Sequence, residues 1–314
     1  MKNVFNKLEF NQIRHFFEIL QSSKDLNYEY IKYRYNNVAT NFKNVFKFFK
    51  SLKLIESKDK QLISNIKIKK EIINYDDFLK KYILESIFTK TNPIREYVLE
   101  YLNNFKLEND IYKYKPKTSD RLRNSNLRNL LIELDLIGYN SLENSYFILE
   151  KYLILFLKIK EKNKISQKNL DYIINRKYKL GLLAEYRIIE YEKNRLAYAK
   201  QLLNEIQHVA LTNVNAGYDI LSWDYLKNSS FSLPRYIEVK AVTDTNYSFY
   251  WTNNEYEVAK KEKDRYFLYL LPVINNNFFN INDLKIIQNP IFLISNKNKN
   301  WNKKVEKYHI WKKI

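Results

Sequence analysis

The chain has 314 residues, enough for two or three domains, and 54 Lys and Arg against 35 Asp and Glu give it a formal net charge of +19. This excess favours a polyanionic partner, most simply nucleic acid, although a genome rich in A and T would also enrich Lys, Asn, Ile and Tyr. The absence of cysteine excludes disulfides and thiolate metal sites.

Neither the first residues of the sequence nor its apolar runs indicate a membrane. The first ten residues, MKNVFNKLEF, lack the apolar core of a signal peptide. The longest apolar run, YLILFLKI at 152–159, is too short to span a bilayer. We therefore expect a cytoplasmic protein with no membrane partner.

The first half of the chain has the periodicity of helices and contains an internal repeat. FFKSLKLIES at 48–57 aligns with LLIELDLIGY at 130–139. Leu52, Leu54 and Ile55 correspond to residues 82 positions later, which are Leu134, Leu136 and Ile137. In both copies an amphipathic helix ends in Leu-x-Leu-Ile, and a polar turn and a short stretch of alternating apolar residues follow.

A helix, a Leu-Ile strand and a hairpin resemble a winged helix-turn-helix. We therefore predict two winged-helix-like modules, at 1–75 and 76–150. Any helix followed by a hairpin gives the same pattern, so the modules could contact protein instead of DNA. A helical connector is predicted for 151–180.

Two basic clusters lie on or just before the helices that precede the Leu-Ile strands. Such a helix enters the major groove in helix-turn-helix proteins. Tyr30, Tyr33 and Tyr35 are interleaved with the first cluster and could add phosphate or base contacts. A solvated basic face is the alternative for any one of these positions. The candidate nucleic-acid-binding residues are Lys43, Lys47, Lys50, Arg121, Arg123 and Arg128.

The second half, 181–314, changes to an α/β pattern. It predicts one long helix at 181–205, strands at 217–225, 235–242 and 247–252, a helix in NNEYEVAKKEKD, and a strand at 265–274. The predicted fold class is therefore α+β multidomain, with a helical N-terminal half and a C-terminal α/β domain around a central mixed sheet.

The strand RYIEVKAV at 235–242 carries two charges on one face. Because side chains alternate along a strand, Ile237 and Val239 can face the core while Glu238 and Lys240 project together on the other side. Burying such charges is costly, and a metal ion on the carboxylate would offset that cost. Asp219, in the preceding strand, is the natural second ligand, and oxygen ligands suit Mg²⁺ or Mn²⁺.

An Asp in a strand followed about twenty residues later by Glu-x-Lys resembles the PD-(D/E)xK, or restriction-endonuclease-like, nuclease superfamily. The ordered motifs GLLAEYRIIEYEKNRL, GYDILSW, RYIEVKAV, FYWTNNEYEVAK and YFLYLLPV resemble one branch of it. That branch includes the C-terminal domain of the plant NO VEIN protein, and its bacterial members often lie in restriction and phage-defence loci. The resemblance covers about residues 180–295.

The resemblance implies roles for individual residues. Asp219 and Glu238 would bind the metal, Lys240 would be the catalytic lysine, and Glu185 would add a metal ligand from the preceding helix. Glu255 matches an acidic position to which the resemblance assigns no role. Two positions depart from the pattern without removing a functional group: the expected Gly before the first glutamate is Ala184, and the Pro that precedes the Asp in the superfamily is Tyr218.

Other candidates have simpler interpretations. Glu190 and Glu192 fit a solvated acidic helix face, and the lone His208 fits a structural role. The basic tail, SNKNKNWNKKVEKYHIWKKI at 295–314, fits either an edge strand protected by lysines or an arm for the DNA backbone. No glycine-rich phosphate loop is present in the sequence, so ATP binding by this chain is not expected.

The leading expectation is a Mg²⁺-dependent DNA endonuclease in restriction or antiviral defence. A regulatory or sensor subunit that uses the nuclease fold only to bind DNA is an alternative, and RNA as the substrate is another. Cleavage of both strands by one site per chain would favour a homodimer. A homodimer and defence-system partner proteins therefore remain open as partners.

Overall fold

The structure, a computed structural model, describes residues 2–66, 75–89, 92–161, 164–225, 232–242, 247–275, 278–295, 301 and 303. The chain divides into two compact units. The first unit comprises Met1–Arg176 and Ile274–Asn276, and the second comprises Lys177–Val273 and Asn277–Ile314. Almost all of the basic tail therefore lies outside the described residues.

The first unit consists of helices and short antiparallel hairpins. Its helices and strands are α1 (Phe10–Ser22), α2 (Tyr28–Asn36), α3 (Phe42–Ser51), β1 (Ile55–Lys58), β2 (Gln61–Ser64), α4 (Tyr75–Ile87), α5 (Arg95–Leu102), β3 (Lys106–Glu108), β4 (Ile111–Tyr114), α6 (Thr118–Arg123), α7 (Ser125–Glu133), β5 (Ile137–Asn140), β6 (Ser145–Ile148) and α8 (Leu153–Lys160). Strands β1 and β2 form one sheet, and β3-β4-β6-β5 form another.

The internal repeat has the same backbone turn in both copies. Helix α3 ends before Lys53 and helix α7 before Asp135, and both residues have φ near +57°. In the first copy the N–H of Leu54 donates to the carbonyl of Phe49 at 3.0 Å. The equivalent bond, from Leu136 to Leu131, is 2.9 Å long. This left-handed turn satisfies the last helix carbonyls and leads the chain into the hairpin.

One apolar core serves both copies of the repeat, running from Val4 to Ile173. Tyr35 is fully buried in it, with its hydroxyl donating to the carbonyl of Thr40 at 2.9 Å. Tyr35 is therefore a core residue rather than a nucleic-acid contact, because it packs edge-on against Phe16. Tyr30 and Tyr33 are exposed, as a surface role would require.

The second unit is built on one mixed sheet. The long helix α9 (Gln167–Arg195) begins in the first unit and leads into it. Its other helices and strands are α10 (Lys200–Leu203), β7 (Gln207–His208), β8 (Ile220–Tyr225), β9 (Ser232–Val242), α11 (Asn253–Glu262), β10 (Tyr266–Asn275), β11 (Phe278–Phe279), β12 (Lys285–Gln288) and α12 (Pro290–Ser295).

The strand pairs β7-β8, β8-β9 and β10-β12 of this sheet are antiparallel, and its central pair is parallel. The strand order is β7-β8-β9-β10-β11, and β12 also pairs with β10. Strands β9 and β10 are parallel, from Tyr236 opposite Tyr266 to Val242 opposite Pro272, and α11 makes the crossover between them. Apolar clusters cover both faces, one including Ala184 and Ile188 of α9 and the other Ile294 of α12.

Two predicted elements of this half differ from the structure. The predicted helix at 181–205 belongs to α9, which starts at Gln167 and ends at Arg195, because buried residues recur every three or four positions from Ile173 onward. The predicted strand at 247–252 is not a strand. Its alternation arises because Phe249 and Trp251 pack into an apolar cluster without backbone pairing to a neighbour.

The strands predicted at 217–225, 235–242 and 265–274 and the helix of NNEYEVAKKEKD are all present, with small changes at their ends. The predicted mixed sheet is confirmed. In the part of the chain that the structure describes, no helix combines the length and the apolar character that a membrane span needs.

Candidate functional site

Strand β9 carries the centre of the candidate site. Ile237 and Val239 are buried in the cluster that includes residues of α9, while Glu238 and Lys240 project from the opposite face. The predicted alternation is therefore correct. Tyr269 and Leu271 of the parallel neighbour β10 support the apolar side.

Asp219 lies immediately before β8 and is fixed to β9 by two hydrogen bonds. Its N–H donates to the carbonyl of Ile237 at 2.9 Å. Its Oδ2 accepts from the N–H of Val239 at 2.7 Å. Because Ile220 pairs with Ile237, Asp219 lies beside Glu238. The pairing of β8 with β9, which was expected to bring the two carboxylates together, is therefore present.

Glu238 is buried and Asp219 is partly buried, and neighbouring carboxylates disfavour the charge on both. Glu238 has only 4% of its surface exposed. Burial first, and then the charge of Asp219, raise the pKa of Glu238 well above its usual range. Burial also raises the pKa of Asp219 to about 7, with the charges of Glu185 and Glu255 acting in the same direction. This acidic pair would be stabilised by a cation.

Lys240 is held between two carboxylates that come from different elements. Its Nζ is 2.6 Å from Glu238 Oε1 and 2.7 Å from Glu255 Oε2. Burial by itself lowers the pKa of Lys240, but the two carboxylates outweigh burial and raise it. Lys240 is therefore a charged ammonium in this arrangement.

Glu255 is positioned by the start of helix α11. The Thr252 hydroxyl accepts from the N–H of Glu255 at 3.3 Å, and the Glu255 carboxylate accepts from the N–H of Thr252 at 3.3 Å. This reciprocal pair is a capping box, which fixes both residues at the helix N-terminus. The sequence indicated Glu255 as an acidic position but not its contact with Lys240.

Glu185 of α9 contacts a histidine. Its Oε2 lies 2.5 Å from Nε2 of His208, in strand β7. The His208 ring also packs edge-on against Tyr186, at 5.1 Å between ring centres. Nδ1 of His208 is buried and has no hydrogen-bond partner within the described residues. His208 was expected to be structural, and its contact with Glu185 brings it to the edge of the site.

The loop that leads to Asp219 is packed against α11. Gly217 has φ of +77°, and its carbonyl accepts from the buried hydroxyl of Tyr266 at 2.9 Å. The Asn254 amide donates to the carbonyl of Asn215 at 3.0 Å. The Asn254 bond joins the approach to Asp219 to the helix that carries Glu255, and the Tyr266 bond joins it to β10.

The four predicted site residues are only partly brought together. Asp219, Glu238 and Lys240 converge, whereas the Glu185 carboxylate is turned to His208. Over the described ranges, no three or more His, Asp or Glu side chains are gathered in a group that could hold a metal ion. The chemistry of Asp219 and Glu238 nevertheless suits a hard divalent cation, because both are oxygen donors with raised pKa values.

Glu192 forms a buried polar cluster that the sequence did not predict. It is fully buried, although a solvated acidic face was expected. Its carboxylate accepts from Arg195 at 2.7 Å, from the Ser222 hydroxyl at 2.6 Å and from the Tyr269 hydroxyl at 2.7 Å. The signal was its spacing, because a buried residue occurs every four positions along this face: Ala184, Ile188, Glu192 and Leu196.

The six candidate nucleic-acid-binding residues fall into two groups. Lys43, Lys47 and Lys50 on α3 are exposed, as is Arg123 at the end of α6. Arg121 donates to Asn144, and Arg128 donates to the carbonyl of Arg121 at 2.9 Å. The Arg128 guanidinium also lies 5.3 Å from the centre of the Tyr146 ring. Arg121 and Arg128 therefore already have partners inside the first unit.

Comparison with known proteins supports the resemblance of the second half. Residues 184–281 match the family model described as protein NO VEIN, C-terminal. This range contains all of the residues that converge around Lys240. Neither a curated protein nor a solved structure matches the chain.

Proposed function

We propose that the protein is a metal-dependent DNA endonuclease of the PD-(D/E)xK type, acting in restriction or antiviral defence. The observation that supports this proposal is the convergence of Asp219, Glu238 and Lys240 on one face of a mixed sheet. The first unit, with its two predicted winged-helix-like modules, would contribute DNA binding. The match to the NO VEIN C-terminal family is compatible with this proposal but does not name an activity.

Asp219 and Glu238 would hold Mg²⁺ or Mn²⁺, with Glu185 as a further ligand. Asp219 and Glu238 are a suitable donor set, because both pKa values are raised by loss of water and by neighbouring carboxylates, and a divalent cation offsets both effects. When bound, such an ion acidifies a water molecule and neutralises charge on a phosphate. Glu185 would have to turn from His208 to join this set.

Lys240 would stabilise negative charge on the phosphate that is attacked. Its pKa is raised by Glu238 and Glu255 despite burial, so it is a donor with a fixed positive charge rather than a base. A charge that is oriented in advance, in a site with little water, lowers the energy of the transition state more than a mobile one does. The backbone N–H of Val239 keeps Asp219 oriented on the same face.

Cleavage of plasmid and linear DNA with Mg²⁺ or Mn²⁺ tests this proposal. Glu238→Gln and Asp219→Asn keep the size of the side chains and remove the charges. Each substitution should lower the cleavage rate by more than about 100-fold. This value is the upper end of the losses that follow removal of an outer-shell partner, and a direct ligand should matter more. Glu257→Gln, on the exposed side of α11, should cleave like the wild type. Equal rates in all four proteins would contradict the proposal.

A second candidate is a DNA-binding sensor or regulatory subunit that does not cleave. The internal pairing of the candidate ligands favours it, since Glu238 contacts Lys240 and Glu185 contacts His208. DNA affinity that falls steeply with salt, without cleavage under any metal condition, would support this candidate. An RNA-directed nuclease would be identified by the same assay with matched RNA duplexes and single strands.

A further inference from the structure

The two copies of the repeat in the first unit agree in their buried positions. Helices α3 and α7 align with the offset of 82 residues, and from Val45 to Ile55 every core position of the first copy is a core position of the second. The equivalent buried pairs are Val45 and Leu127, Phe48 and Leu130, Phe49 and Leu131, Leu52 and Leu134, Leu54 and Leu136, and Ile55 and Ile137. The two helices therefore bury the same face.

The exposed positions of the two helices differ in charge. Lys43, Lys47 and Lys50 of α3 lie four and three residues apart, so they form one exposed stripe. The equivalent positions of α7 are Ser125, Asn129 and Ile132, none of which is charged. No carboxylate of the described residues lies within ion-pair distance of the three lysines. Only α3 thus presents an uncompensated basic face.

The arginines near α7 do not form a comparable stripe, because of Arg121, Arg123 and Arg128 only Arg123, at the end of α6, is exposed. Arg121 donates to Asn144, while Arg128 donates to Asn129 and to the backbone carbonyl of Arg121. Arg128 also lies against the Tyr146 ring. These contacts link α6 and α7 to the hairpin that follows them. The guanidinium groups of Arg121 and Arg128 therefore already have partners within the first unit.

Asn6 connects the two helices directly. The Asn44 side chain of α3 donates to the backbone carbonyl of Asn6 at 3.1 Å. The equivalent residue of α7, Asn126, donates to the side-chain oxygen of Asn6 at 3.3 Å. Helix α7 is therefore held beside the N-terminal end of α3, where it can support α3.

We propose that the two copies have diverged in role, so that α3 binds the phosphates of duplex DNA through Lys43, Lys47 and Lys50 while α7 supports it. This inference rests on the proposed function only in taking nucleic acid as the partner. The stripe carries three positive charges, and no acidic residue occurs between Ile31 and Lys53. Phosphate contacts of this kind supply most non-specific affinity for DNA.

The character of the α3 face favours duplex DNA over other nucleic acids. All the phenylalanines of α3 pack toward the core, so its exposed face offers no ring on which bases of a single strand could stack. An α-helix enters the major groove of B-form DNA, whereas the major groove of A-form RNA is too narrow for it.

The test measures binding of the full chain to a fluorescein-labelled DNA duplex of about 30 base pairs, between about 50 and 200 mM salt. EDTA is present throughout, so the result does not depend on cleavage. The variant K43Q/K47Q/K50Q should lower the slope of log affinity against log salt by about 0.9 for each phosphate that is no longer neutralised. Urea unfolding should be unchanged, because the lysines are exposed.

Two variants separate this proposal from a general charge effect. K81Q/K158Q/K168Q removes the same charge from exposed positions of the first unit outside α3 and should keep the wild-type slope. R121Q/R128Q should lower the urea midpoint and also keep that slope. An unchanged slope in K43Q/K47Q/K50Q, or an equal loss in either comparison variant, would overturn the proposal.

Matched RNA duplexes and single-stranded DNA complete the experiment. Weaker binding of both than of duplex DNA supports the assignment, and equal or tighter binding of either overturns the choice of duplex DNA. A protein that shows the expected slopes but does not cleave DNA with Mg²⁺ or Mn²⁺ would refute the endonuclease and leave this inference intact.

Discussion

Lys240 contacts two acidic side chains that reach it from a strand and from a helix. Glu238 is its neighbour on β9, and Glu255 comes from the first turn of α11. A buried ion pair of this kind seldom adds net stability, because removing the charges from water costs about as much as their attraction returns. Its presence is better explained by a need to hold an ammonium group in one position.

Removing the Glu255 charge should impair catalysis without removing a proposed metal ligand. In Glu255→Gln, Lys240 keeps its contact with Glu238 but loses the second carboxylate that fixes its ammonium group. We expect single-turnover cleavage at saturating DNA to slow by about 10- to 100-fold, as for other partners that orient a metal site.

Glu257→Gln is the matched control for this substitution. It removes the same charge from the same helix, where Glu257 is exposed and lies 3.9 Å from Lys260. Equal cleavage rates in Glu255→Gln and Glu257→Gln would show that Glu255 does not position Lys240.

Single residues also show what the sequence could and could not predict. The side-chain alternation of β9 and the position of Asp219 follow from strand geometry, so three of the four proposed site residues were placed correctly relative to the sheet. The partners of Glu185 and Lys240 did not follow, because His208 and Glu255 reach them through tertiary packing.

At the scale of elements, the loop before β8 and the middle of α9 contain glycines in opposite situations. Gly217 has positive φ, and a Cβ there would come within 2.6 Å of Val258 Cγ2. Gly181 lies inside α9, with nothing within 4 Å of the position that a Cβ would take. The first glycine is required by the turn, whereas the second only lowers the helix propensity.

Alanine at these two positions should therefore change stability in opposite directions. Gly217→Ala should lower the free energy of unfolding by more than about 1 kcal/mol, because it combines backbone strain with overlap on α11. Gly181→Ala should raise it by about 0.5–1 kcal/mol through better helix propensity. Urea titrations of both variants measure these changes, and a shift of the same sign in both would contradict this assignment.

Elements were predicted best where packing and backbone pairing coincide. Strands β8, β9 and β10 pair with neighbours, and their side chains alternate between the two faces of the sheet, in β10 from one apolar cluster to the other. The segment 247–252 alternates in burial as well, but its backbone pairs with no strand among the described residues, so the pattern alone misidentified it. The sequence pattern did not predict the early start of α9, because a charged residue, Arg176, occupies one of the buried positions of this helix.

At the scale of the whole molecule, the residues proposed to bind DNA and those proposed to cleave it lie in different units. The basic stripe of α3 belongs to the first unit, and the acidic cluster around Glu238 belongs to the second. Acidic side chains repel phosphates, so a nuclease with such a site needs positive charge elsewhere to retain DNA. The net charge of +19 is compatible with this division of roles.

The division predicts different kinetic losses for the two sites. K43Q/K47Q/K50Q should raise KM for duplex DNA by about 10- to 100-fold near 150 mM salt and leave kcat unchanged. The KM of this variant should return toward the wild-type value as the salt concentration is lowered. Glu238→Gln should lower kcat with little change in KM, because it removes an interaction made mainly in the transition state. Combining the lysine substitutions with Glu238→Gln in one protein should multiply the two losses in kcat/KM, as expected for independent sites.

Steady-state cleavage over a range of DNA and salt concentrations measures each effect. A loss of kcat in K43Q/K47Q/K50Q would show that α3 takes part in the chemical step.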